Sequence, residues 1–428
     1  MNIKLKKAAL LSVLGLSLVA TSATALDTKY TTNCKPLAPE QPDPNREKRK
    51  MQLPSESTYK ALSKVQDPIG KNQYDEAIQI LAPLLERNLS EYDRATIQHN
   101  LAYLYAQKQQ WNKAIEAEGV AINSGTMQEQ QELQARQNLV FFYNATDNLA
   151  KTLEALKSYF DNAWGVKPDM YLMLGSIYAQ MNKFQESICP TYIAINKHLQ
   201  PKESWYSILL AAHYELKDFD GAIVIAREML EKYPNNKNNW SQLSNLYLRQ
   251  EKDQDALTLM ELAYLRGYLE KEAELKNLSS LYALNSIPYK SAAVLEKAIE
   301  EGKVPAGEKT WKQVGQQWTV ARELDKAVRA YGEAGKFVND GLFLAYQGEL
   351  LAEMEKWKEA SAVFTKAIEK GGLKDVGRVY LNIGIALYYS GDYSKALANL
   401  EKASGYEKSA KNAQSWIAFV NERIKSKG

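Results

Sequence analysis

The sequence predicts an all-α solenoid, a stack of helix-turn-helix units sharing one continuous core. Three observations carry that prediction. A small residue recurs at Ala77, Ala114, Thr152, Ser187, Ala222, Ala256, Ser291, Ala327, Ala360 and Ala396, at intervals of 33 to 38 residues. Self-similarity at such a period marks stacked supersecondary units, each too small to bury its apolar face alone. Prolines and glycines are sparse, 13 and 22 in 428 residues, and five of the prolines crowd between Pro36 and Pro54. Everything after Pro54 is rich in helix formers, with apolar residues at helical spacing.

Taken in order, the chain opens with "MNIKLKKAALLSVLGLSLVATSATA". Lys4, Lys6 and Lys7 precede an apolar run from Ala8 to Ala20, and Ala23, Thr24 and Ala25 form a small-residue cleavage site. That pattern predicts an export signal removed after Ala25, too short and wrongly flanked for a membrane span. "TTN" before Cys34 lacks the small and apolar residues of a lipoprotein signal, which argues against a lipid anchor. No later stretch is apolar enough to cross a bilayer, so a soluble, exported protein is expected. The signal's three lysines account for the excess of 54 basic over 51 acidic residues, leaving a neutral mature chain. Such a chain has no global electrostatic reason to seek nucleic acid or anionic membrane.

Residues 26–54 read as an extended, poorly ordered arm, since proline and charge dominate "KPLAPEQPDPNREKRKMQLP". Its basic run, Arg46, Lys48, Arg49 and Lys50, reads as a solvated linker or as a contact for an acidic partner or lipid headgroup. Residues 55–406 hold about ten units. The clearest, "VYLNIGIALYYSGDYSKALANLEKA", puts Tyr380, Ile383 and Gly384 on one helix, a turn at Gly391, then Ala396, Leu400 and Ala403 on the next. Trp311, Val314, Gly315 and Trp318 with Ala327, Tyr331 and Ala334 repeat the plan, as do Trp240, Leu243 and Tyr247 with Ala256, Met260 and Ala263. Small residues let two helix backbones approach, while aromatic and Leu positions fill the groove between hairpins. The first unit is poorest, because "TYKALSKVQDPIG" lacks those aromatics, as befits a terminal repeat. Residues 407–428 carry Trp416, Phe419, Val420 and Ile424 on one face and should cap the open end of the core.

This plan resembles the tetratricopeptide repeat, a right-handed superhelix of hairpins. Two segments are more specific: "ESWYSILLAAHYELKDFDGAI" and "ALTLMELAYLRGYLEKEAELKNLSSLYALNSIPYKSAAVLEKAIEEG", with Pro288 and Tyr289 at a hairpin turn. They are similar to exported tetratricopeptide proteins encoded beside TonB, ExbB and ExbD systems in gram-negative bacteria. The resemblance implies a periplasmic adaptor that accompanies energised outer-membrane transport, with TonB-system components as partners and no catalytic residues to transfer.

Chemistry-bearing motifs point away from an enzyme and from any cofactor. His99, His198 and His213 stand at no metal-ligand spacing to each other or to a cysteine. G-x-S-x-G, G-x-x-x-x-G-K-[ST] and G-x-G-x-x-G do not occur. Many carboxylates sit one helical turn from a base, as Glu359 after Lys356 and Glu301 after Lys297, the mark of a solvated helix face. Acid pairs can still meet in space, so a hydrolase acting on envelope polymers stays open beside the adaptor and a chaperone for extended chains.

The candidate binding face is a ladder of primary amides. Asn100, Asn138, Gln242, Asn277, Gln313 and Asn382 each precede the Leu-type core position of a first helix, the helix that lines the concave face in this repeat. An amide donates and accepts at once, which suits the alternating N–H and C=O groups of an extended peptide. Asn at this position can equally bond to a neighbouring helix. Met173, Leu209 and Tyr346 interrupt the ladder, Leu209 in a fifth unit whose turn reads one residue short. Tyr103, Phe141, Leu172 and Met173 offer an apolar groove patch, with core packing as the plain alternative.

The two cysteines, Cys34 and Cys189, belong to an exported chain in which disulfides persist. Cys189 falls two residues after Ser187 and beside Pro190, towards the outer face of the fourth hairpin. About 22 arm residues at ~3.3 Å each reach roughly 70 Å, against roughly 55 Å across six helices spaced at ~9 Å. A Cys34–Cys189 bond laying the arm over the first half of the solenoid is therefore expected, with an intermolecular bridge through Cys34 as its rival. Pro190 would open the helix locally and bend it toward the arm.

Overall fold

Helical hairpins follow one another from Glu56 to Lys427 in the computed structural model, which describes residues 26–45 and 49–427. The expected signal, residues 1–25, and three residues of the basic run, Arg46, Glu47 and Lys48, lie outside the described residues. By its contacts the described chain falls into two compact units, divided between Pro234 and Asn235. Each is described by itself.

Unit 1 contains α1 (Glu56–Lys64), α2 (Gln66–Gly70), α3 (Tyr74–Leu81), α4 (Glu91–Gln107), α5 (Trp111–Asn123), α6 (Glu129–Ala145), α7 (Leu149–Asn162), α8 (Pro168–Gln180), α9 (Phe184–Lys197), α10 (Glu203–Glu215) and α11 (Phe219–Lys232). Unit 2 contains α12 (Lys237–Arg249), α13 (Asp253–Leu265), α14 (Glu272–Leu284), α15 (Pro288–Glu300), α16 (Glu308–Val320), α17 (Leu324–Ala334), α18 (Leu342–Glu353), α19 (Trp357–Lys370), α20 (Val376–Tyr389), α21 (Tyr393–Ser404) and α22 (Glu407–Lys427). Among the described residues there is no strand. Within each unit every helix from α4 onward packs on the next, and in unit 1 α10 reaches back to α8.

One turn geometry builds all ten hairpins. The residue five before each small position adopts positive φ: Asn72, Gln109, Asp147, Asn182, Lys217, Glu251, Ser286, Arg322, Glu355 and Gly391. The next residue's N–H then returns to the carbonyl five back, as Lys183 to Tyr178 (2.8 Å), Asp218 to His213 (2.9 Å) and Asp392 to Leu387 (3.0 Å). This is the Schellman closure of the first helix, and it turns the chain straight into the second. Non-glycine residues in this conformation cost roughly 1 kcal/mol or more; the closing hydrogen bonds and the packing of the small residue offset it. All ten small residues are fully buried, and this shared geometry makes the chain an all-α solenoid of tetratricopeptide type.

Ser187 is the exception among the polar small residues. Thr152 donates to the Asn148 carbonyl (2.9 Å) and Ser291 to that of Ser279 (2.7 Å), whereas the buried Ser187 hydroxyl has no hydrogen-bond partner among the described residues. An unmade buried hydrogen bond costs about 1–3 kcal/mol. Ser187→Ala is therefore expected to stabilise unit 1 by about 1 kcal/mol, read as a higher urea midpoint at unchanged m value. A lower midpoint would show that the hydroxyl fills space that alanine leaves empty.

The arm differs from its expected disorder. Residues 28–34 form a turn, with the Thr31 and Cys34 amides bonded to the Thr28 and Thr31 carbonyls (3.1 and 3.0 Å). Leu26, Thr28, Thr31 and Ala38 are buried, and Leu26 and Ala38 join the core cluster built mainly from α6 to α11. Apolar burial of that kind contributes about 25 cal/mol per Å², enough to order a chain that composition alone marks as a linker. From there the arm runs back toward the first hairpin. The Gly165 amide donates to the Pro39 carbonyl (2.8 Å), Arg49 donates to the Met127 carbonyl (2.8 Å) and pairs with Glu132, and the Ser55 amide donates to Asp93 (2.8 Å). Burial alone would raise the Glu132 carboxyl, but Arg136 and Arg49 hold it below the usual carboxylate range.

Candidate functional site

The ladder amides divide into two groups. Asn100, on α4, donates to the Thr96 carbonyl of its own helix (2.8 Å). Asn138, on α6, donates to Glu118 (2.7 Å) and accepts from Gln134 (3.0 Å). Glu118 is fully buried on α5 and also meets His99 of α4 (2.9 Å). In unit 1, therefore, Asn138 ties α6 to α5, which is the packing alternative, while Asn100 bonds back within its own helix.

In unit 2 Gln242, Asn277, Gln313 and Asn382 occupy the same position on α12, α14, α16 and α20. Gln242 is exposed and the other three are half-buried. Among the described residues none of these four side chains has a hydrogen-bond partner. Two turns further along the same helix faces stand Leu284 (58 % exposed), Val320 (67 %) and Tyr389 (53 %). Tyr346, which breaks the ladder on α18, packs tilted against Tyr331 (5.2 Å) and edge-on to Phe343 (6.1 Å).

Two sequence readings of this face change. The turn between α10 and α11 spans Leu216, Lys217 and Asp218, as long as that between α8 and α9, so the fifth unit is not short. Leu209 is a fully buried core residue, and the half-buried Ile208 holds the ladder position. Of the apolar patch, Tyr103 and Phe141 are exposed, while Leu172 and Met173 pack against the core of the fourth hairpin.

The second arrangement lies in unit 1, where the arm meets α9, α10 and α11. Cys34 and Cys189 form a disulfide with Cα atoms 5.2 Å apart, 155 residues apart in sequence. The bond lies within one chain, as the sequence reading favours over a bridge between chains. Both cysteines are half-buried, and α9 continues through the buried Pro190 without a break. The arm passes beyond the fourth hairpin to the fifth. There Thr28 meets His213 Nε2 at 3.4 Å, His213 Nδ1 meets Asp218 at 2.7 Å, Lys29 pairs with Asp218 at 3.2 Å, and the Tyr30 ring lies against the His213 ring.

The proton positions in this clasp follow from its donors. Thr31 Oγ1 donates to the Leu26 carbonyl (2.6 Å) and accepts from the Thr28 amide (2.7 Å), while the Tyr30 amide donates to Thr28 Oγ1 (3.3 Å). The Thr28 hydroxyl therefore has two acceptors in reach, Thr31 Oγ1 (3.2 Å) and His213 Nε2 (3.4 Å), and a neutral ring that donates Nδ1–H to Asp218 offers Nε2 as an acceptor. Burial pushes the His213 pKa down, against the pull of Asp218, so the ring is neutral. Burial would raise the Asp218 carboxyl, yet His213 and Lys29 keep it below the ordinary range.

Sequence reasoning missed this clasp. His213 and Asp218, five residues apart across a turn, were visible, but Thr28 lies 185 residues from His213 and nothing local joins them. Among the described residues no group of three or more His, Cys, Asp or Glu could hold a metal ion, and no helix is long and apolar enough to cross a membrane.

No family model matches the chain, and no curated protein matches it. Among solved structures, the chain is similar to the C-terminal part of a TPR repeat-containing protein from Cytophaga hutchinsonii, at 13 % identity, 64 % of this chain, 97 % of that chain and a TM-score of 0.35. It is similar to the TPR2AB domain of yeast Sti1 in complex with pHSP90, at 20 % identity, 60 % of this chain, 96 % of that chain and a TM-score of 0.31. Against the APC/C hetero-tetramer Cut9–Hcn1 the identity is 14 %, with 86 % of this chain, 77 % of that chain and a TM-score of 0.27.

Proposed function

We propose that the chain is a non-enzymatic protein-interaction scaffold whose unit 2 holds an extended partner segment along α12, α14, α16 and α20. The observation that carries this reading is the set of four amides, Gln242, Asn277, Gln313 and Asn382, in register and without hydrogen-bond partners among the described residues. They suit main-chain N–H and C=O groups, which explains a low demand on partner sequence. Leu284, Val320 and Tyr389 on the same faces suit apolar side chains of that segment. The ladder is shorter than the sequence predicts, because Asn100 is bonded back to its own helix and Asn138 to Glu118.

The setting proposed with it is the periplasm, and the partners are components of a TonB-type transport system. The intrachain disulfide supports export, since such bonds persist in oxidising compartments; the TonB assignment rests on the sequence resemblance. The chaperone alternative uses the same face and differs in partner number. The test is capture from intact cells with photo-crosslinkers at Gln242 and Gln313, beside a variant carrying alanine at all four amides. One or two defined proteins are expected with wild type, and a mixture would favour the chaperone. At ~1 kcal/mol per hydrogen bond the fourfold variant should lose capture on the order of 10²- to 10³-fold at intact helicity. Unchanged capture would overturn the ladder.

A further inference from the structure

We propose that residues 26–40 are a releasable strap. Two-electron reduction of Cys34–Cys189 by a dithiol frees this segment from α8 to α11 and uncovers its seat around Tyr171, Cys189, His213 and Asp218. The inference concerns unit 1 and stands apart from the peptide face of unit 2.

The chemistry balances simply. A thiolate of the dithiol attacks one protein sulfur, the S–S bond breaks, and the other cysteine leaves as a thiolate that takes up a proton. The second thiol of the reductant then displaces the first cysteine from the mixed disulfide. Two protein thiols and one oxidised cyclic reductant result. The half-buried state of both cysteines gives the attacking group access.

Once the bond is cut, the strap is held by contacts of the reversible kind. Leu26 and Ala38 enter the core cluster and the half-buried Tyr30 packs on its edge, Thr28 and Thr31 are buried, and Leu37 is 54 % exposed. The Ala38 amide reaches the Tyr171 hydroxyl at 3.4 Å, the Thr28 hydroxyl reaches His213 at 3.4 Å, and the Lys29 side chain in the Asp218 pair is 60 % exposed. Glu40 pairs with Lys197 at an exposed position. Exposed pairs of this kind hold weakly in water.

Asp218 supplies the alternative state. It stands four residues before Ala222, the N-cap position of α11, yet its side chain makes no cap bond. Asn148 and Asp392, four residues before Thr152 and Ala396, both cap their helices by accepting from Lys151 and Lys395 amides (3.1 and 3.2 Å). Asp218 has forgone that cap in favour of Lys29 and His213. When the strap leaves, the carboxylate can turn to the first-turn amides of α11, as its two counterparts do, so the released state gains an interaction that the docked state lacks. A group with two alternative partners is what lets one covalent event switch a segment.

The experiment uses the full oxidised chain at neutral pH without denaturant, before and after dithiothreitol, with thiol counting to establish complete reduction. Hydrogen exchange follows the Thr31, Cys34 and Ala38 amides, and trypsin reports access at the Lys29–Tyr30 bond. Exchange across residues 26–40 is expected to accelerate on the order of a hundredfold or more, the scale of a cross-link closing a loop of this length. Circular dichroism and the exchange of α8 to α11 are expected to stay as they were. Strap amides that remain equally protected with two free thiols would overturn the proposal. So would α8 to α11 opening together with the strap, which would make the bond a structural staple.

Discussion

Replacing Gly221 with alanine is expected to destabilise unit 1 by about 1–3 kcal/mol, the cost of overpacking a filled interior site. Gly221 sits in the first turn of α11, and a Cβ there would lie 2.3 Å from Asp218 Oδ2 and 2.4 Å from His213 Nδ1. Neither neighbour can give way freely. His213 is fully buried and wedged against Tyr30, and Asp218 is held between the ring and Lys29. The methyl must therefore separate the pair or push α11 away from α10. Gly119→Ala is the control, because Gly119 lies inside α5 with open space around its Cβ direction. It is expected to gain roughly 0.5–1 kcal/mol from helix propensity. Urea midpoints of the two variants should move in opposite directions from wild type. A Gly221→Ala midpoint within error of wild type would show that the clasp is loose.

The repeat was legible because its signal is local and tenfold: a small residue that must be buried for two helices to touch recurs at nearly constant spacing. The arm–hairpin disulfide was legible from export and chain length, since few other partners existed for Cys34. The turns were harder to read. Gln109, Lys217, Glu251, Arg322 and Glu355 adopt a conformation that sequence rules reserve for Gly and Asn, because helix closure and packing on either side impose it. Composition misjudged the arm for a related reason. Prolines and charges report what a segment does alone in water, whereas Leu26 and Ala38 are ordered by a core made of distant helices. At the ladder, an amide's position could be read but its partner could not. Glu118 is what separates Asn138 from Asn277, and it comes from another helix.

Lowering the pH from 7 to 5 is expected to destabilise unit 1 through His213. The imidazole is buried neutral, with its pKa pushed down by burial, while in the unfolded chain it titrates near the ordinary 6.5. Below that value the unfolded state binds a proton that the folded state refuses. The stability contribution is thus fully present above about pH 6.5 and is lost as pH falls toward the folded pKa. The limiting slope is about 1.4 kcal/mol per pH unit for one proton. Around the ring stand Asp218 from the α11 cap, Lys29 and Tyr30 from the arm, and the Thr28 hydroxyl. Asp218 favours the imidazolium and Lys29 opposes it, and burial decides the balance. Asp218 itself is depressed, so its contribution persists through this window and fades only below the ordinary carboxylate range. Lys29 is raised and stays charged throughout. The measurement is the urea midpoint from pH 7.5 to 5 for wild type and for His213→Gln, whose difference isolates this ring from His99 and His198. Wild type should be flat above pH 6.5 and then lose stability faster than His213→Gln. Parallel curves would mean that the ring takes up its proton inside the fold, with Asp218 stabilising the cation.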